Sequence, residues 1–389
     1  MIPLSVNQKL AVKKLERLRV GALFMEPGTG KTRAAVELIN SSKTDYVLFI
    51  VPFQTKKNIK KELIKWRLKP KYRIEGVESL SNSDRLYLEL LDEIKHAKRA
   101  FIIVDESLKI KNIHAKRTER VMKLGKLAYY RLILNGTPIS KNILDLYPQI
   151  EFLSPKILNM RYIEFWDKFV ESETKIDGYS QYTIVKDSVN IPYLYSLIEP
   201  YVFEAKLKLG ISENEHCIDY IVDNPEAYWN AKEEMIKKIE FMGDVDFLAM
   251  TQKMQHSYSL DAAHIQQCKD LVSDLKRKTL IFVKYLDTKA RLTDIFPNCK
   301  VITYGKGSLG LNLQEYKNII FYEKTWDYAQ LEQAKRRIYR LGQSENVNYY
   351  FLTGNLGLEK MIDNSITKKT TLLNLFKETS NRKEFAREF

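Results

Sequence analysis

The stretch FMEPGTGKTRAAVELI, from Phe24 to Ile39, joins an apolar segment to an amphipathic one through a glycine-rich turn. Gly28 and Gly30 carry no side chain, so backbone N–H groups in this turn can close around a phosphate. Thr29 lies between them, and the helix predicted to begin near Lys31 directs its positive end at the same anion. We therefore predict a strand, a phosphate-binding turn and a helix, the opening of an α/β domain.

The two residues after Gly30 supply the chemistry expected of such a turn. Lys31 is placed to reach the β- and γ-phosphates of a nucleotide, and Thr32 to ligate Mg²⁺. The strict pattern GxxxxGK[ST] requires glycine where this chain has Met25, so the match is incomplete. A glycine-rich turn that only caps a helix is the alternative interpretation.

The composition is that of a globular protein with a basic surplus. The 389 residues allow two or three domains. The net charge of +14 favours a polyanionic partner, although a solvated lysine-rich surface explains it equally well. Three scattered cysteines indicate a reducing compartment, and neither a signal peptide nor a membrane span is predicted. We expect a location in the cytoplasm of a bacterial or phage-infected cell, or in a eukaryotic nucleus.

Four short apolar runs in residues 1–155 alternate with amphipathic stretches. Runs this rich in Val, Ile and Leu suit strands covered on both faces, and hence a parallel sheet with crossover helices. The sequence therefore predicts an α/β domain over residues 1–155. The runs are VGALFM (20–25), YVLFIVP (46–52), RAFIIVD (99–105) and YRLILNG (130–136).

The rest of the chain divides by composition into two parts. Residues 156–270 are rich in aromatic residues and helix formers, which predicts a mostly helical insertion with one short strand at HCIDYIV (216–222). Trp166 and Trp229 are predicted core residues of this insertion. The α/β alternation returns in residues 271–389, which end in a charged amphipathic segment. The predicted fold class is two α/β domains with parallel sheets, separated by a helical insertion.

Polar residues follow the third and fourth apolar runs. After a phosphate-binding turn at this distance, Asp105 is predicted to hold Mg²⁺ and Glu106 to orient the attacking water. Two solvated acids at a strand end are the alternative. Thr137, in the stretch LNGTP, is predicted to sense the γ-phosphate, with an ordinary Gly-Pro turn as the alternative.

The stretch QLEQAKRRIYRLGQ (330–343) is predicted to be helical. Gln333, Arg337 and Arg340 are spaced i, i+4 and i+7, which would place them on one helix face. A solvated basic helix explains this spacing in most proteins. Because the predicted phosphate site in residues 1–155 has no charge-neutralising arginine from its own domain, Arg337 and Arg340 are predicted to act as arginine fingers.

Taken in order, these motifs resemble those of superfamily-two helicase-like ATPases, and within them the Swi/Snf class of DNA translocases. MEPGTGKT resembles the first motif of that class, and VDESLKIKN its second, commonly DEAH followed by xIKN. LNGTPISKNILDLYPQIEFLSP (134–155) is similar to LTGTPIxNxxxELxxLxxFLxP. GSLGLNL (307–313) resembles AGGxGLNL, and QAKRRIYRLGQ resembles QAxDRxHRIGQ, with Trp326 where the class keeps a tryptophan. The likeness covers most of the chain and is thinnest in the helical middle.

The resemblance implies two RecA-like domains with ATP and Mg²⁺ between them and nucleic acid across the top. It assigns adenine recognition to Gln8, and further nucleotide contacts to Gly310 and Gln333. Nucleic acid is expected on loops at the rim opposite the ATP. Among the expected contacts, Phe53 is better explained as filling the core beneath its loop, and each lysine is explained equally well as a solvated surface residue. The expected contacts are Phe53, Gln54, Lys56, Ser79, Lys284, Lys306 and Ser308.

The chain departs from the class at several positions. Asn135 replaces a threonine, Ser308 a glycine, Arg336 an aspartate and Tyr339 a histidine. The segment between TLIFVKY (279–285) and GSLGLNL is also short by the space of one strand and one helix. We expect a compact motor, encoded by a phage or another mobile element, whose processivity is reduced.

The sequence as a whole predicts a DNA-dependent ATPase that couples ATP hydrolysis to movement along double-stranded DNA, acting as a monomer. An RNA helicase is one alternative. The other is an ATP-switched nucleic-acid clamp that recruits a nuclease or a replication or recombination protein. No membrane partner is predicted.

Overall fold

The chain forms two compact units, Met1–Lys208 and Leu209–Phe389, each built around a parallel sheet. The predicted α/β fold class with parallel sheets is therefore confirmed. The computed structural model describes residues 3–140, 142–177, 180–242, 246–275, 278–304, 313–340 and 342–367.

The first unit contains a six-stranded sheet in the order β3-β2-β4-β5-β1-β8, with every neighbouring pair parallel. Because the strands are parallel, their carboxyl ends share one edge of the sheet, where the loops that follow them meet. The strands are β1 (Val20–Met25), β2 (Tyr46–Val51), β3 (Lys71–Gly76), β4 (Ala100–Asp105), β5 (Tyr130–Asn135) and β8 (Val202–Ala205).

Helices cover both faces of this sheet. Along β1, Ala22 and Phe24 pack into the core on one face, whereas Leu23 and Met25 pack into the core on the other. This two-sided burial is the reason that the central strands are nearly continuous apolar runs. The helices are α1 (Val6–Leu15), α2 (Lys31–Ser41), α3 (Lys56–Lys65), α4 (Val77–Asn82), α5 (Asp84–His96), α6 (Lys116–Leu127), α7 (Tyr147–Leu153), α8 (Pro155–Leu158), α9 (Tyr162–Phe169) and α10 (Ile191–Ile198).

The second unit contains a five-stranded parallel sheet in the order β11-β10-β12-β13-β9. Its strands are β9 (Glu213–Tyr220), β10 (Thr279–Val283), β11 (Lys300–Thr303), β12 (Asn318–Phe321) and β13 (Val347–Gly354). Its helices are α11 (Glu226–Met242), α12 (Phe247–Ser257), α13 (Ala262–Leu275), α14 (Leu286–Ile295), α15 (Tyr328–Lys335) and α16 (Gly357–Thr367).

The observed division differs from the three-part division predicted from composition. Residues 156–270 form no unit of their own, because β8 joins the first sheet and β9, the predicted short strand, joins the second. This segment also contains an antiparallel hairpin of β6 (Val170–Asp177) and β7 (Ser180–Ser188), so it is less helical than predicted. The boundary falls after Lys208, not at 155 or 270.

Two further predictions concern the C-terminal segment and membrane spans. The predicted amphipathic segment at 368–389 lies outside the described residues. In the parts of the chain that the structure describes, no helix is both long and apolar enough to cross a membrane.

Candidate functional site

The loop between β1 and α2 is a tight turn held by its own backbone. Gly28 and Gly30 adopt φ angles of 87° and 81°, in the region that residues with a side chain disfavour. The carbonyl of Glu26 accepts hydrogen bonds from Thr29 N at 3.2 Å and from Thr29 Oγ1 at 2.7 Å. Gly30 caps α2, so the N-terminus of this helix has no side-chain cap in the way of an anion.

Gln8 supports this loop from α1. Its side chain is 5% exposed, and its Nε2 donates to the carbonyls of Thr29 at 3.1 Å and Gly30 at 3.4 Å. Its Oε1 accepts from Ser5 N at 3.0 Å as part of a capping box. Gln8 therefore fixes the loop, and adenine recognition by its amide stays a prediction.

Two acids stand beside the lysine of the loop. Asp105 ends β4, and Glu106 follows it with an unusual positive φ of 51°. Glu106 Oε1 lies 3.9 Å from Lys31 Nζ. A residue with a side chain in this region of backbone space is strained by about 1–2 kcal/mol, and such strain is common where a side chain must be aimed. The fold thus brings Lys31, Asp105 and Glu106 together at one sheet edge.

The Asp105 carboxyl has an unusual ionisation. Burial raises its pKa to about 6; the Lys31 ammonium opposes this change and the neighbouring Glu106 carboxylate adds to it. Only 7% of Asp105 is exposed. A carboxyl whose pKa is shifted this far by its surroundings is a common sign of a functional site.

A buried polar network connects the acids to the loop after β5. Ser107 Oγ donates to Gln149 Oε1 at 2.6 Å and accepts from Asn135 Nδ2 at 3.2 Å. Gln149 Nε2 donates to the carbonyl of Pro138 at 2.6 Å, and Thr137 N donates to Asn135 Oδ1 at 3.2 Å. The substitution of Asn135 for threonine is thus part of a hydrogen-bonded network, which holds the exposed Thr137 at this edge.

Sequence reasoning missed Ser107 and Gln149. The available signal was a glutamine inside the apolar stretch LYPQIEFL, where an amide is buried only if it is hydrogen-bonded. Gly136 also proves to be constrained, because a Cβ at this position would lie 2.8 Å from Pro27 Cδ of the phosphate loop. The loop after β5 therefore packs directly on the loop after β1.

These residues fit a nucleoside triphosphate and its Mg²⁺. The positive-φ glycines leave the backbone open to phosphate oxygens, and Lys31 supplies the positive charge. Thr32, the second residue of α2, and the buried Asp105 offer the oxygen ligands that Mg²⁺ prefers. These two residues would hold the metal.

The second unit places the predicted arginines differently from expectation. Gln333 lies on α15 and is half-buried, but α15 ends at Lys335. The chain then turns, with Arg337 N donating to Ala334 O at 3.1 Å, and Arg340 follows in a bend. The expectation that Gln333, Arg337 and Arg340 share one helix face is therefore wrong. Their roles as nucleotide contact and arginine fingers stay predictions.

Two of the departures from the class explain this turn. Arg336 Nη1 donates to both carboxylate oxygens of Glu213 at 2.8 Å, and Tyr339 Oη accepts from Leu209 N at 3.2 Å. Lys335 Nζ adds an ion pair with Glu215 at 2.6 Å. These contacts tie the residues after α15 to the start of the second unit, so Arg336 and Tyr339 have structural partners.

The expected nucleic-acid residues of the first unit directly follow two adjacent strands: Phe53, Gln54 and Lys56 follow β2, with Lys56 opening α3, and Ser79 lies on α4 after β3. Phe53 is 59% exposed, so the expectation that it fills the core is wrong. Gln54 is also exposed, and Lys56 pairs with Glu75 at 2.8 Å. A Cβ on Gly76 would lie 3.0 Å from both Phe53 and Ser79, which shows how closely the loops pack.

These loops occupy the same carboxyl edge of the sheet as the phosphate loop, since all six strands are parallel. The expectation that nucleic acid binds at a rim opposite the ATP stays a prediction. The loops follow β3 and β2 at one side of the sheet, next to β4, whose end carries the acids, whereas Lys31 follows β1, two strands beyond β4.

Lys284 is an expected contact that the geometry disfavours. Its ammonium lies 3.0 Å from the centroid of the Trp326 ring and donates to Gln255 Oε1 at 2.8 Å. Burial lowers the pKa of Lys284 well below its ordinary value, although Glu323 and Glu359 oppose this. The amine therefore belongs to the interior of the second unit. Lys306, Ser308 and Gly310 lie outside the described residues.

The predicted core tryptophans follow expectation in part, and a buried histidine lies in the second core. Trp166 packs against the first core as predicted, but Trp229 is 45% exposed, so its assignment as a core residue is wrong. His264 is buried and stacked on Tyr322 at 3.7 Å, and burial lowers its pKa to about 3. It is thus a neutral core group.

Comparisons with known proteins bear on the whole chain. A family model described as the SNF2-related domain matches residues 74–267. The SWI/SNF-related matrix-associated actin-dependent regulator of chromatin subfamily A-like protein 1 of Drosophila melanogaster is 25% identical, over 90% of this chain and 52% of its own length. The uncharacterized ATP-dependent helicase YqhH of Bacillus subtilis is 23% identical, over 94% of this chain and 77% of its own.

The chain therefore spans about half the length of the fly relative. Among solved structures, the Sulfolobus solfataricus SWI2/SNF2 ATPase core in complex with dsDNA is similar over 99% of this chain and 95% of its own. The sequence identity is 19% and the TM-score is 0.47.

Proposed function

Because the chain belongs to the SNF2-related, Swi/Snf class of superfamily-two helicase-like ATPases, we propose that it hydrolyses ATP to move along double-stranded DNA. The observation that carries the proposal is the convergence of Lys31, Asp105 and Glu106 on one sheet edge, with Lys31 and Glu106 3.9 Å apart. A phosphate loop without such acids would bind a nucleotide without a means to cleave it.

Each side chain at this edge has a separate task in the proposed reaction. The Lys31 ammonium neutralises charge on the terminal phosphates, and the backbone of Gly28 to Gly30 holds their oxygens. The Glu106 carboxylate orients the attacking water and accepts its proton. Asp105 and Thr32 would hold Mg²⁺, which would supply positive charge near the phosphates when bound.

The predicted arginine fingers keep their role in the proposed reaction. Arg337 and Arg340 supply positive charge to the terminal phosphate, for which a gain of about three to five orders of magnitude in rate is typical. Gln8, Thr137, Gly310 and Gln333 are proposed to contact the nucleotide. Exposure of Phe53 and Gln54 beside the nucleotide loops supports a nucleic-acid surface there. The net charge of +14 supports a polyanion as the partner.

The rates of ATP hydrolysis and of strand displacement on different nucleic acids test this proposed function. ATP hydrolysis is measured alone and with duplex DNA, single-stranded DNA or RNA, together with displacement of a third strand from a triplex and of one strand from a duplex. We expect duplex DNA to stimulate hydrolysis most, with triplex displacement. Lys31→Ala should abolish turnover, whereas Lys43→Ala, an exposed lysine just beyond α2, should not. Arg340→Ala should lower the rate while sparing ATP binding.

The same measurements separate the alternatives. Preferential stimulation by RNA would favour an RNA helicase. Stimulation without displacement of either kind would favour a clamp that recruits a nuclease or a replication or recombination protein. Normal hydrolysis by Lys31→Ala would refute the assignment of the site.

A further inference from the structure

Glu26 connects the phosphate loop to the chain segment that leaves the first unit. β8 pairs with β1 in parallel, with Ala205 opposite Met25, so both strands end at the same place. One residue further on, Glu26 N donates to the carbonyl of Ala205 at 3.0 Å. Leu207 N then donates to the carboxylate Oε2 of Glu26 at 2.9 Å. The segment Lys206–Lys208 therefore leaves the sheet attached to the first residue of the loop.

The other contacts of Glu26 are made within the loop. Its carbonyl accepts both bonds from Thr29, and the carbonyl of Thr29 in turn accepts from Gln8. Glu26 thus has its side chain on the exit segment and its backbone in the turn that carries Gly28 and Lys31. Because the Glu26 carboxylate carbon is three bonds from Cα, a shift of that turn changes the position from which the carboxylate reaches Leu207 N.

We propose that Glu26 is a positioning residue that transmits the nucleotide state of the phosphate loop to the segment Lys206–Lys208. The inference rests on the proposed nucleotide site. Binding of phosphate recruits backbone N–H groups of the loop, which sets the position of Glu26. Glu26 then keeps or releases Leu207 N, and with it the first residues of the connection to the second unit.

A purely structural role is the competing explanation. In that case Glu26 only closes the end of the β1–β8 pair, and the exit segment would be held equally with and without nucleotide. The two explanations differ in whether the attachment of Leu207 depends on nucleotide. Leu207 is 8% exposed, whereas Lys206 and Lys208 on either side are exposed. Release of Leu207 should therefore open the adjacent peptide bonds to trypsin.

Limited trypsin digestion of the full chain measures this attachment. Cleavage after Lys206 and Lys208 is followed by mass spectrometry, with and without a non-hydrolysable ATP analogue. We expect the analogue to change this rate severalfold in the wild type. In Glu26→Ala cleavage should be about tenfold faster, the factor commonly lost with a hydrogen bond to a charged group, and insensitive to the analogue.

Two further variants serve as controls. Glu26→Gln keeps an oxygen acceptor and should restore slow, nucleotide-sensitive cleavage. Glu204→Ala removes an exposed carboxylate of β8 and should behave as the wild type. Binding of a fluorescent ATP analogue is measured in parallel for every variant. Circular dichroism confirms that Glu26→Ala is folded before digestion.

The outcomes separate this inference from the proposed function. If the wild type does not bind the analogue, the proposed function is wrong and the inference falls with it. If the wild type binds but cleavage at this segment ignores the nucleotide, only the inference is overturned. The same holds if Glu26→Ala is cleaved like the wild type, or if Glu26→Gln behaves like Glu26→Ala.

Discussion

Replacement of Asp105 by asparagine should stabilise the first unit at pH 8 while removing a predicted Mg²⁺ ligand. Burial raises the pKa of Asp105 from its ordinary value of 3.8 to about 6. The unfolded chain therefore ionises this carboxyl more easily than the folded one, and folding is penalised wherever the ionised form prevails. The penalty is absent below the ordinary pKa, grows between the two values, and is complete above about pH 6.

The size of the effect follows from the shift in pKa. About two units separate the folded and unfolded values, and each unit corresponds to about 1.4 kcal/mol, so the full penalty is about 3 kcal/mol. At pH 5 about half of it should remain. Asparagine has nearly the same shape and no charge. Lys31 keeps Glu106 as an ionic partner at 3.9 Å, so the ammonium is not left alone.

Hydrogen exchange with mass spectrometry isolates the first unit from the second in the intact chain. Peptides that cover β4 and β5 report the opening free energy at pH 5 and pH 8 for both proteins. The variant should gain about 3 kcal/mol at pH 8 and about half of that at pH 5. Mg²⁺-dependent ATP binding should be lost.

A second aspartate provides a control of opposite sign. Burial acts to raise the pKa of Asp45, but hydrogen bonds from the backbone N–H groups of Arg99 and Lys98 hold this pKa below its ordinary value. Asp45→Asn should therefore lower stability at pH 8. A less stable Asp105→Asn protein at pH 8, or a gain that is the same at both pH values, would refute the reasoning.

Three other substitutions test the geometry. Phe53→Ala should weaken nucleic-acid binding by about 1–3 kcal/mol, the loss expected when a base can no longer stack on the ring, with little change in stability. Ile64 on α3 is similarly exposed, so Ile64→Ala should leave nucleic-acid binding intact. Gly136→Ala places a Cβ 2.8 Å from Pro27 Cδ and should weaken ATP binding about tenfold; unchanged binding would contradict the packing of the two loops. Lys284→Met should alter thermal stability and spare nucleic-acid affinity, and a large loss of affinity in a titration would return Lys284 to the binding surface.

The central strands of the first unit could be predicted from sequence because they are buried on both faces. β1, β2, β4 and β5 lie within one residue of the predicted runs. The edge strand β3 was missed because its sequence, KYRIEG, is largely polar and only half-buried. The phosphate loop and the acids could be located because each follows such a run directly.

Contacts distant in sequence account for what could not be predicted. Helical spacing suggested a continuous helix through Arg340, but Arg336 and Tyr339 are bonded to Glu213 and Leu209, more than a hundred residues earlier. The role of Gln149 likewise depends on Ser107, with which it shares no local pattern. Composition gave the wrong boundary because β8 and β9 pair with β1 and β13, which lie outside the segment 156–270.

The position of β8 has a consequence for synthesis of the chain. Until Val202–Ala205 has left the ribosome, β1 is an uncapped edge made of the apolar sequence VGALFM. Such edges pair readily with other chains. A protein truncated near residue 155 would keep every catalytic group of the first unit and still expose this edge permanently. We expect such fragments to aggregate, and those that extend through residue 208 to remain in solution.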